Sequence, residues 1–554
     1  MSVLQLPIEP SEFATAWADS LASLMSALHQ AQGGHSQQTV RLMSLTRELC
    51  AALDNGHSCL QQDFLEKNTR IKSPVIVSAQ QALTQIAPLV LEKNRLYLYR
   101  YWWDEYRLAQ ALKSLNHPTP TILTADDLAS LTQGTLAKQA QAIQQSLQSG
   151  LTVITGGPGT GKTFTLVRIL LALLKQNTQL RVALAAPTGK AAARMQEALR
   201  QSLEKLSIDK AVSEQLPKTA FTLHRLLGMG HNTPPKFNAQ HPLDYDLIIV
   251  DEASMIDLRM ASQLVTAIAP QARLILLGDA NQLAAVEAGA VLAEIGKAQT
   301  LKANCVHLTE SKRFEGVIGD LAEAVCQGNS AAALQIAQQD NNAIFYHPLE
   351  QPDATAKKLF QGYQAFVKAL QTQQPISQII QTFDSYRVLC AVREGAYGVN
   401  SINQRLSALL QKELSLAEES AIWYHGRPIM VTKNDYSLDV FNGDIGITLA
   451  EEDGFYVYFP TQDQQHRRIA AARLAYSETA LALTIHKSQG SEFSRVAVVL
   501  PKEDSAILSR QLLYTGITRA KHHIHLWAME HLFIKAIEQQ TQRAAGLHDK
   551  IDAK

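Results

Sequence analysis

The chain lacks three features that would assign it to a particular class of protein. Its five cysteines are scattered, and none belongs to a Cys-x-x-Cys pair, so neither a zinc site nor a disulfide framework is indicated. No apolar run reaches the roughly 18–20 residues that a membrane span needs. The first residues have no basic start and no long apolar segment, unlike a secretory signal. These absences predict a reduced, cytoplasmic setting.

The chain also lacks net charge, because its 51 Lys and Arg residues balance 51 Asp and Glu residues. A protein without a global positive field would bind nucleic acid through a local groove. At 554 residues the chain is too long for a single hydrophobic core. This length predicts about two to four domains.

What is present is a strand pattern, a glycine-rich turn and a long helix pattern over residues 151–174. Glycines let backbone N–H groups turn around an anion, and the start of a helix adds the positive end of its dipole. Lys162 is placed to reach the β- and γ-phosphates of a nucleotide, and the Thr163 hydroxyl to hold Mg²⁺. A chance glycine-rich turn is the alternative. The predicted nucleotide-binding residues are Gly156, Gly157, Pro158, Gly159, Thr160, Gly161, Lys162 and Thr163.

Two carboxylates follow the apolar run at residues 247–250. Asp251 is placed to bind Mg²⁺, usually through water, and Glu252 to polarise an attacking water. The alternative is a helix N-terminus with favourable acidic residues. Gln282 follows a further apolar strand and is placed to sense the γ-phosphate. Repeated strand-then-helix units of this kind predict a parallel sheet with its site at the carboxyl ends of the strands.

Polar turns at other strand ends suit a DNA phosphate. Pro187 and Thr188 lie between a buried strand and a helix, and Thr222 with His224 forms a second polar insertion at a helix start. Upstream of the phosphate loop, the amide of Gln139 is able to donate to and accept from an adenine edge. Because its helix holds several glutamines, Gln139 by itself is not evidence of an adenine-binding site.

Residues 1 to about 115 have mainly helical patterns, with one possible strand at 75–77. The stretch from residue 95 to 106 is dense in aromatics and arginine. Such residues stack on nucleotides, line protein interfaces, or form a core helix with snorkelling arginines, and the sequence leaves all three open. The residues expected to line a core face of the first helix are Phe13, Trp17, Leu21, Leu24 and Leu28.

The second half of the chain begins a new α/β region at Tyr386. Short strands with turn signals over residues 420–475 predict a small all-β insert, after which the α/β pattern resumes. Arg519 follows a helix pattern near the end of this region. An arginine on a second domain that faces the nucleotide of the first is an arginine-finger arrangement, and a surface arginine is the alternative.

In this order, the segments resemble the superfamily 1 DNA helicases, and most closely their RecD branch. The resemblance covers most of the chain from about Gln139 to Lys521. One departure is Ala285, which stands before Val286 where the family usually has a small polar residue. The resemblance rests on residues 156–163, 186–190, 222–227, 250–255, 277–279, 282–283, 441–444, 484–493 and 514–521.

The resemblance implies an α/β protein with two RecA-like P-loop motor domains built on parallel sheets, over residues 116–330 and 331–554. It implies a mostly helical, partner-docking domain over residues 1–115, and a small SH3-like all-β insert at about 420–475 that lies by the DNA. It also implies that Gln139, Arg313 and Arg519 lie at the nucleotide. The DNA contacts implied in the second half are Asn442, Thr484, His486 and Ser488.

The family further implies an ATP- and Mg²⁺-dependent motor that moves 5′→3′ on single-stranded DNA. The resemblance implies that this motor works in a bacterial, nucleoid-associated heterotrimer with RecB- and RecC-like subunits, the exodeoxyribonuclease V complex. That complex acts on duplex ends in double-strand break repair, recombination and the degradation of linear DNA. Nothing in the chain resembles a nuclease carboxylate cluster, so nuclease activity is expected in a partner.

Three alternatives stay open at this point. A stand-alone RecD-like helicase would share the motor, although longer members carry extra helical modules in front of it. A superfamily 1 RNA helicase would share the motor motifs. An ATP-gated binding scaffold with a weak motor is disfavoured because all the hydrolytic residues are retained.

Overall fold

A computed structural model describes residues 12–61, 73–205, 216–217, 219–230, 233–285, 287–310, 316–416, 422–435, 437–461 and 465–553. These ranges contain four β-sheets, of which two, one with six strands and one with five, are entirely parallel. The expected α/β fold with two parallel-sheet motor regions and an all-β insert is confirmed. The boundaries proposed between domains stay predictions.

The N-terminal region joins two long helices to a small sheet. In this sheet β1 and β3 flank β4 in antiparallel fashion, while β2 pairs with β3 in parallel. The sequence indicated a single strand here because these strands are only two to four residues long. The elements are α1 Glu12–Ala31, α2 Ser36–Asp54, β1 Leu60–Gln61, β2 Ile76–Ser78, α3 Ala79–Ala82, β3 Leu89–Glu92, β4 Arg95–Leu98 and α4 Tyr99–Leu115.

The face that α1 buries is not the expected one. Ala18, Ala22 and Met25 are buried, whereas Trp17 and Leu24 are exposed. Small side chains let two helices approach closely, and α1 packs along α2 through this alanine-rich face. Leu21 and Leu28 are half-buried, and the side chain of Phe13 lies outside the described part of the chain.

The aromatic stretch that spans β4 and α4 contributes mainly to the core. Tyr97 and Trp102 are buried, and Tyr99, Trp103 and Tyr106 are half-buried. The ring centroids of Trp102 and Tyr106 lie 5.5 Å apart in a stacked arrangement. Offset stacking of this kind adds to the free energy gained from burial. Of the three interpretations of this stretch, the structure favours the core for Tyr97 and Trp102.

The first motor region is built on a six-stranded parallel sheet of order β10-β5-β9-β8-β6-β7. One face packs against α6, α7 and α8, and the other against α4 and α10. Because β5, β9 and β8 are adjacent and parallel, their carboxyl ends meet at one edge. The elements are α5 Ala125–Thr132, α6 Ala137–Gln148, β5 Leu151–Gly156, α7 Lys162–Gln176, β6 Val182–Ala186, α8 Gly189–Lys205, β7 Ala220–Thr222, α9 Leu223–Leu226, β8 Leu247–Val250, α10 Leu258–Thr266, β9 Arg273–Gly278, α11 Val291–Lys297 and β10 Cys305–Leu308.

The second motor region has a five-stranded parallel sheet of order β11-β20-β19-β12-β18. Its two faces carry separate hydrophobic cores. The elements are α12 Val317–Gln327, α13 Ser330–Gln338, β11 Ile344–His347, α14 Pro352–Phe360, α15 Gln364–Gln371, α16 Ile376–Asp384, β12 Tyr386–Cys390, α17 Val399–Glu413, β18 Ala482–Thr484, β19 Phe493–Val499, α18 Arg510–Ile517, β20 Ala520–Trp527 and α19 Glu530–Glu538.

The insert lies between α17 and β18 and forms an antiparallel sheet of order β16-β15-β14-β13-β17. It reaches the first motor region, because a Cβ added at Gly189 would lie 3.6 Å from Cβ of Phe441. The insert therefore stands beside the start of α8. Its strands are β13 Pro428–Val431, β14 Ile445–Glu451, β15 Gly454–Pro460, β16 His466–Ala470 and β17 Ser477–Thr479.

The C-terminal helix α20, Leu547–Asp552, leaves the second motor region and packs against α4 and α11. Nζ of Lys550 lies 2.8 Å from Oε2 of Glu105 and 2.5 Å from Oε2 of Glu92. Lys550 and Glu105 are both buried. The end of the chain thus fastens the N-terminal region to the first motor region. No helix in the described ranges has both the length and the apolar character that crossing a membrane requires.

Candidate active site

The phosphate-binding loop connects β5 to α7. Gly159 and Gly161 have φ angles of 79° and 83°, a left-handed conformation that favours glycine. A Cβ added at Gly156 would lie only 2.6 Å from Oγ1 of Thr160. Nζ of Lys162 donates to the carbonyl oxygens of Gly156 at 2.7 Å and Gly157 at 3.0 Å. The left-handed glycines and the folded-back Lys162 ammonium are features of a loop that binds an anion through its backbone N–H groups.

Asp251 and Glu252 follow β8, two strands away from the phosphate loop on the same edge. Burial, and then the carboxylate of Glu252, raise the pKa of Asp251 to about 6, and the Lys162 ammonium opposes this rise. Glu252 has φ 53° and ψ 38°. A non-glycine residue in this left-handed region stores about 1–3 kcal/mol of strain, which proteins tolerate mainly at functional sites.

Asp279 lies between these two groups, at the end of β9. It is buried, and burial raises its pKa. Nε2 of Gln282 donates to Oδ2 of Asp279 over 3.2 Å, and the Tyr514 hydroxyl donates to the same oxygen over 3.1 Å. Gln282 itself is 6% exposed, and its Oε1 has no hydrogen-bond partner in the described part of the chain. A polar atom left in this state is available to a ligand.

Two further hydrogen bonds hold the Asp279–Leu283 turn against the second motor region. The Leu283 N–H donates to Oγ1 of Thr515 over 2.9 Å, and Nε2 of Gln489 donates to the Leu283 carbonyl over 2.8 Å. The cleft between the two parallel sheets is therefore bridged by hydrogen bonds that bring Tyr514 close to the phosphate loop.

Arg519 lies on the second side of this cleft and is 2% exposed. Its Nε donates to the Thr515 carbonyl over 3.1 Å and its Nη1 to the Ser491 carbonyl over 3.0 Å. Burial lowers the pKa of Arg519, and the carboxylates of Glu252 and Glu492 act against this shift. A buried guanidinium so close to carboxylates of the first sheet is well placed to neutralise an anion in the cleft.

Gln139 is buried, and both ends of its amide are engaged with the protein. Nε2 donates to the Thr160 carbonyl over 3.2 Å, and Oε1 accepts from the Leu136 N–H over 3.1 Å. In this conformation Gln139 braces the phosphate loop. Thr163 lies in the first turn of α7 and is half-buried. Arg313, the third residue expected at the nucleotide, lies outside the described residues.

Four of the expected DNA contacts lie at strand ends of the first motor region. Pro187 and Thr188 connect β6 to α8, and Oγ1 of Thr188 accepts from the Ala191 N–H over 3.2 Å. Thr222 caps α9 through Oγ1, which accepts from the Arg225 N–H over 3.2 Å, and His224 is exposed. Both threonines therefore stand at helix starts, where backbone N–H groups face outward.

The other four lie in the second motor region and its insert. Asn442 is exposed and its N–H donates to Oδ1 of Asn434 over 2.9 Å, while Thr484 and His486 are half-buried. Ser488 differs from these because it is fully buried, and its hydroxyl donates to the Ile485 carbonyl over 2.7 Å. Ser488 supports the turn after β18 and offers no exposed surface to DNA in this conformation.

Three side chains at the cleft received no role from the sequence: Asp279, Tyr514 and Arg194. Asp279 carries the same signal as Asp251, a carboxylate after an apolar strand, and could have been assigned on that ground. Tyr514 and Arg194 make their contacts between the two motor regions. The sequence around either residue gives no pattern from which such a long-range contact could be predicted.

The geometry defines a class of protein, a P-loop nucleotide-binding motor in which a second parallel-sheet region brings a buried arginine to the cleft. Two family models agree with this assignment. Residues 139–288 match an AAA domain, and residues 479–527 match a UvrD-like helicase C-terminal domain.

Similarity to curated relatives is closer and covers more of the chain. The chain is 35% identical over 531 residues to the RecBCD enzyme subunit RecD of Haemophilus influenzae, covering 84% of this chain and 82% of that protein. It is 39% identical over 488 residues to the RecBCD enzyme subunit RecD of Mycobacterium tuberculosis, covering 86% and 84%. It is also 31% identical over 473 residues to the ATP-dependent RecD2 DNA helicase of Deinococcus radiodurans, covering 83% of this chain but 59% of that protein. The chain belongs to the RecD family.

Proposed function

We propose that this chain is an ATP-hydrolysing DNA helicase that serves as a motor subunit of a RecBCD-type complex. The observation that carries the proposal is that Lys162 and Arg519, which belong to different parallel-sheet regions, both interact electrostatically with the buried carboxylate of Asp279, in a chain of the RecD family. Two cations that come together only when the sheets close provide a way to link ATP hydrolysis to domain movement.

In this proposal the phosphates of ATP lie over the glycine loop and beside Lys162. Glu252 orients the attacking water, and Arg519 neutralises charge that develops on the γ-phosphate. Gln282 directs its unpaired Oε1 toward the nucleotide. Gln139 supports the loop and, when its amide is released, meets the adenine edge.

We assign Mg²⁺ to Thr163 and Asp251. Among the described residues, no cluster of three His, Cys, Asp or Glu side chains could hold a metal by itself. A hydroxyl and one carboxylate nevertheless fit Mg²⁺, which prefers oxygen ligands and completes its shell with water and substrate phosphates. When bound, the ion would supply positive charge at the β- and γ-phosphates.

The proposed DNA track runs along Pro187, Thr188, Thr222 and His224 and continues over Asn442, Thr484 and His486. Contacts of this type are made to phosphates and give binding that weakens with salt and does not depend on base sequence. We propose movement in the 5′→3′ direction on single-stranded DNA.

The partners we propose are RecB- and RecC-like subunits, one of which carries the nuclease. The identities of the relatives support a subunit over a stand-alone enzyme. The chain is 35% and 39% identical to the RecBCD enzyme subunits RecD of Haemophilus influenzae and Mycobacterium tuberculosis, and 31% identical to the RecD2 helicase. A stand-alone helicase is the competing function, and the mass of the native assembly separates the two.

The direct test is ATP hydrolysis with and without single-stranded DNA, in wild type and in Lys162→Ala. Lys175→Ala is a matched control, since Lys175 lies on the same helix and pairs with Asp127 at the surface. We expect DNA-stimulated hydrolysis in wild type and Lys175→Ala, and none in Lys162→Ala. Normal turnover by a folded Lys162→Ala protein would contradict the assignment of the site, and stimulation by RNA alone would contradict DNA as the substrate.

A further inference from the structure

Arg194 on α8 reaches from the first motor region to the second. Its Nη2 lies 2.7 Å from Oε2 of Glu492, and its Nη1 donates to the Gly490 carbonyl over 3.1 Å. The Glu492 side chain is only 10% exposed. A guanidinium that uses both of its ends in this way fixes the direction of its partner as well as the distance.

The backbone contact around this pair is close. Gly490 has φ 69°, and a Cβ added there would lie 3.5 Å from Cβ of Ala191, on the first turn of α8. Nζ of Lys190 lies 5.9 Å from the centre of the Phe493 ring, on the same side. The start of α8 and the segment from residue 490 to 493 therefore pack as neighbours, with Arg194 and Glu492 as the charged link between them.

The segment that Arg194 holds also carries an acceptor for Arg519. The Ser491 carbonyl, which accepts from Nη1 of Arg519, lies between Gly490 and Glu492. The Phe493 N–H donates to the Arg519 carbonyl over 2.9 Å. A displacement of residues 490–493 would therefore move the guanidinium of Arg519 relative to the phosphate loop.

The start of α8 also carries a residue of the proposed DNA track. Thr188 caps the helix, and Arg194 projects from its second turn. A helix transmits a shift at its first turn to the next turn almost without loss, because its backbone hydrogen bonds are continuous. Arg194 is thus connected through α8 to Thr188, a proposed contact to DNA phosphate. It is also bonded directly to the segment of residues 490–493, which supports Arg519.

We propose that Arg194 is a positioning residue that couples DNA bound at the start of α8 to the placement of Arg519 in the nucleotide cleft. This inference rests on the proposed function. It assigns no contact with ATP to Arg194, which acts through Glu492 and the Gly490 carbonyl. Its removal should uncouple the two sites while leaving each of them able to bind its ligand.

The test compares ATP hydrolysis by full-length wild type, Arg194→Gln and Lys521→Gln, each with and without saturating single-stranded DNA. Lys521 is the matched control, because its Nζ lies 3.7 Å from the same Glu492 oxygen but within the second motor region. A misplacement of about 1 Å at a catalytic group costs up to about 100-fold, so we expect DNA stimulation to fall about 10- to 100-fold in Arg194→Gln. In Lys521→Gln we expect a change within about twofold, because Lys521 is exposed and its contact with Glu492 is long for an ion pair.

Two further measurements and two further variants make the test decisive. The KM for ATP and the affinity for an oligonucleotide should stay near wild type in Arg194→Gln. Arg194→Lys should restore stimulation only in part, because an ammonium lacks the two-ended geometry of the guanidinium. Glu492→Gln removes the same link from the opposite side and should reproduce the loss if Arg194→Gln does not fold.

Unchanged stimulation in Arg194→Gln would overturn the inference, and so would a proportional loss of DNA affinity, which would make Arg194 a DNA contact. Wild type without any DNA-stimulated hydrolysis would instead contradict the proposed function. The two failures are therefore distinguishable.

Discussion

The Tyr514 hydroxyl donates to Oδ2 of Asp279 over 3.1 Å, and this hydrogen bond joins the two parallel-sheet regions at the phosphate loop. Both side chains are buried, and burial raises the pKa of each. A Cβ added at Gly157 would lie 3.0 Å from the same hydroxyl. The Tyr514 hydroxyl is therefore close to both the phosphate loop and Asp279.

Replacement of Tyr514 by Phe should weaken the contact between the two motor regions. A hydrogen bond to a charged group contributes about 1.5–3 kcal/mol, and its loss leaves the buried Asp279 carboxylate with fewer donors. We expect a lower urea midpoint for Tyr514→Phe than for Tyr346→Phe, whose hydroxyl donates to the Ala528 carbonyl within the second motor region. Equal midpoints would show that the Tyr514 bond adds nothing to the closed cleft.

Asp251→Asn should make the protein more stable at neutral pH while it abolishes hydrolysis. Because burial raises the pKa of folded Asp251 to about 6, the folded state is penalised once this carboxyl ionises. Wild type therefore loses stability as the pH rises from about 4 through 6, and the amide does not. We expect an advantage of about 1–3 kcal/mol for Asp251→Asn above pH 7.

The advantage should disappear near pH 4, where the carboxyl is protonated in both folded and unfolded chains. Unfolding is followed by denaturant titration with a chelator present, so that bound metal does not stabilise one variant selectively. An advantage that stays constant from pH 4 to pH 8 would contradict the assigned cause.

Glu252→Gln and Glu252→Gly separate the chemistry of Glu252 from its backbone strain. Both variants should bind ATP and fail to hydrolyse it, because neither can polarise the attacking water. Only glycine relieves the left-handed φ of 53°, so Glu252→Gly should be at least as stable as Glu252→Gln. Fluorescent-nucleotide binding, turnover and thermal unfolding are measured on the same preparations. Loss of nucleotide affinity in Glu252→Gln would mean that Glu252 is structural.

Arg519→Ala should lower DNA-stimulated turnover by about 10³–10⁵, the usual contribution of an arginine finger. Arg510→Ala is the control, because Arg510 begins the helix that precedes Arg519 and its Nε donates to the Ile537 carbonyl, away from the cleft. We expect near-normal turnover in that control. A loss of the same size in both variants would indicate a general disturbance of the second motor region.

Lys550→Met should loosen the attachment of the C-terminal helix. Removal of one partner of a buried ion pair costs about 3–5 kcal/mol, since it leaves the carboxylate of Glu105 without its cation. We expect a lower thermal midpoint and faster proteolysis after residue 538. Lys550→Met combined with Glu105→Gln should recover part of the loss. No recovery in the double variant would contradict the pairing.

The parts of the site that could be predicted from the sequence are those with a local signal. The glycine loop and the carboxylates Asp251 and Glu252 follow apolar strands directly, and adjacent parallel strands bring such ends together whatever the rest of the chain does. The roles of these residues remain proposals until they are measured. Their proximity in the structure follows from strand order alone.

The parts that could not be predicted depend on contacts between distant segments. Arg194 and Glu492 belong to different sheets, and nothing near either residue indicates the other. The strands of the N-terminal sheet are too short to show the alternation of apolar and polar residues from which a strand is predicted. The exposed Trp17 and Leu24 misled the assignment of α1, because a stripe of large apolar residues resembles a core face even when alanines make the close helix contact.

The most direct test of the central claim is the native mass of the assembly that contains this chain, isolated with a tag at normal expression from its own host. A motor subunit of a RecBCD-type complex predicts a stoichiometric assembly several times the 60.9 kDa of the chain, with two further large polypeptides and ATP-dependent nuclease activity. A lone chain of 60.9 kDa that unwinds DNA without partners would contradict the subunit role and favour the stand-alone helicase.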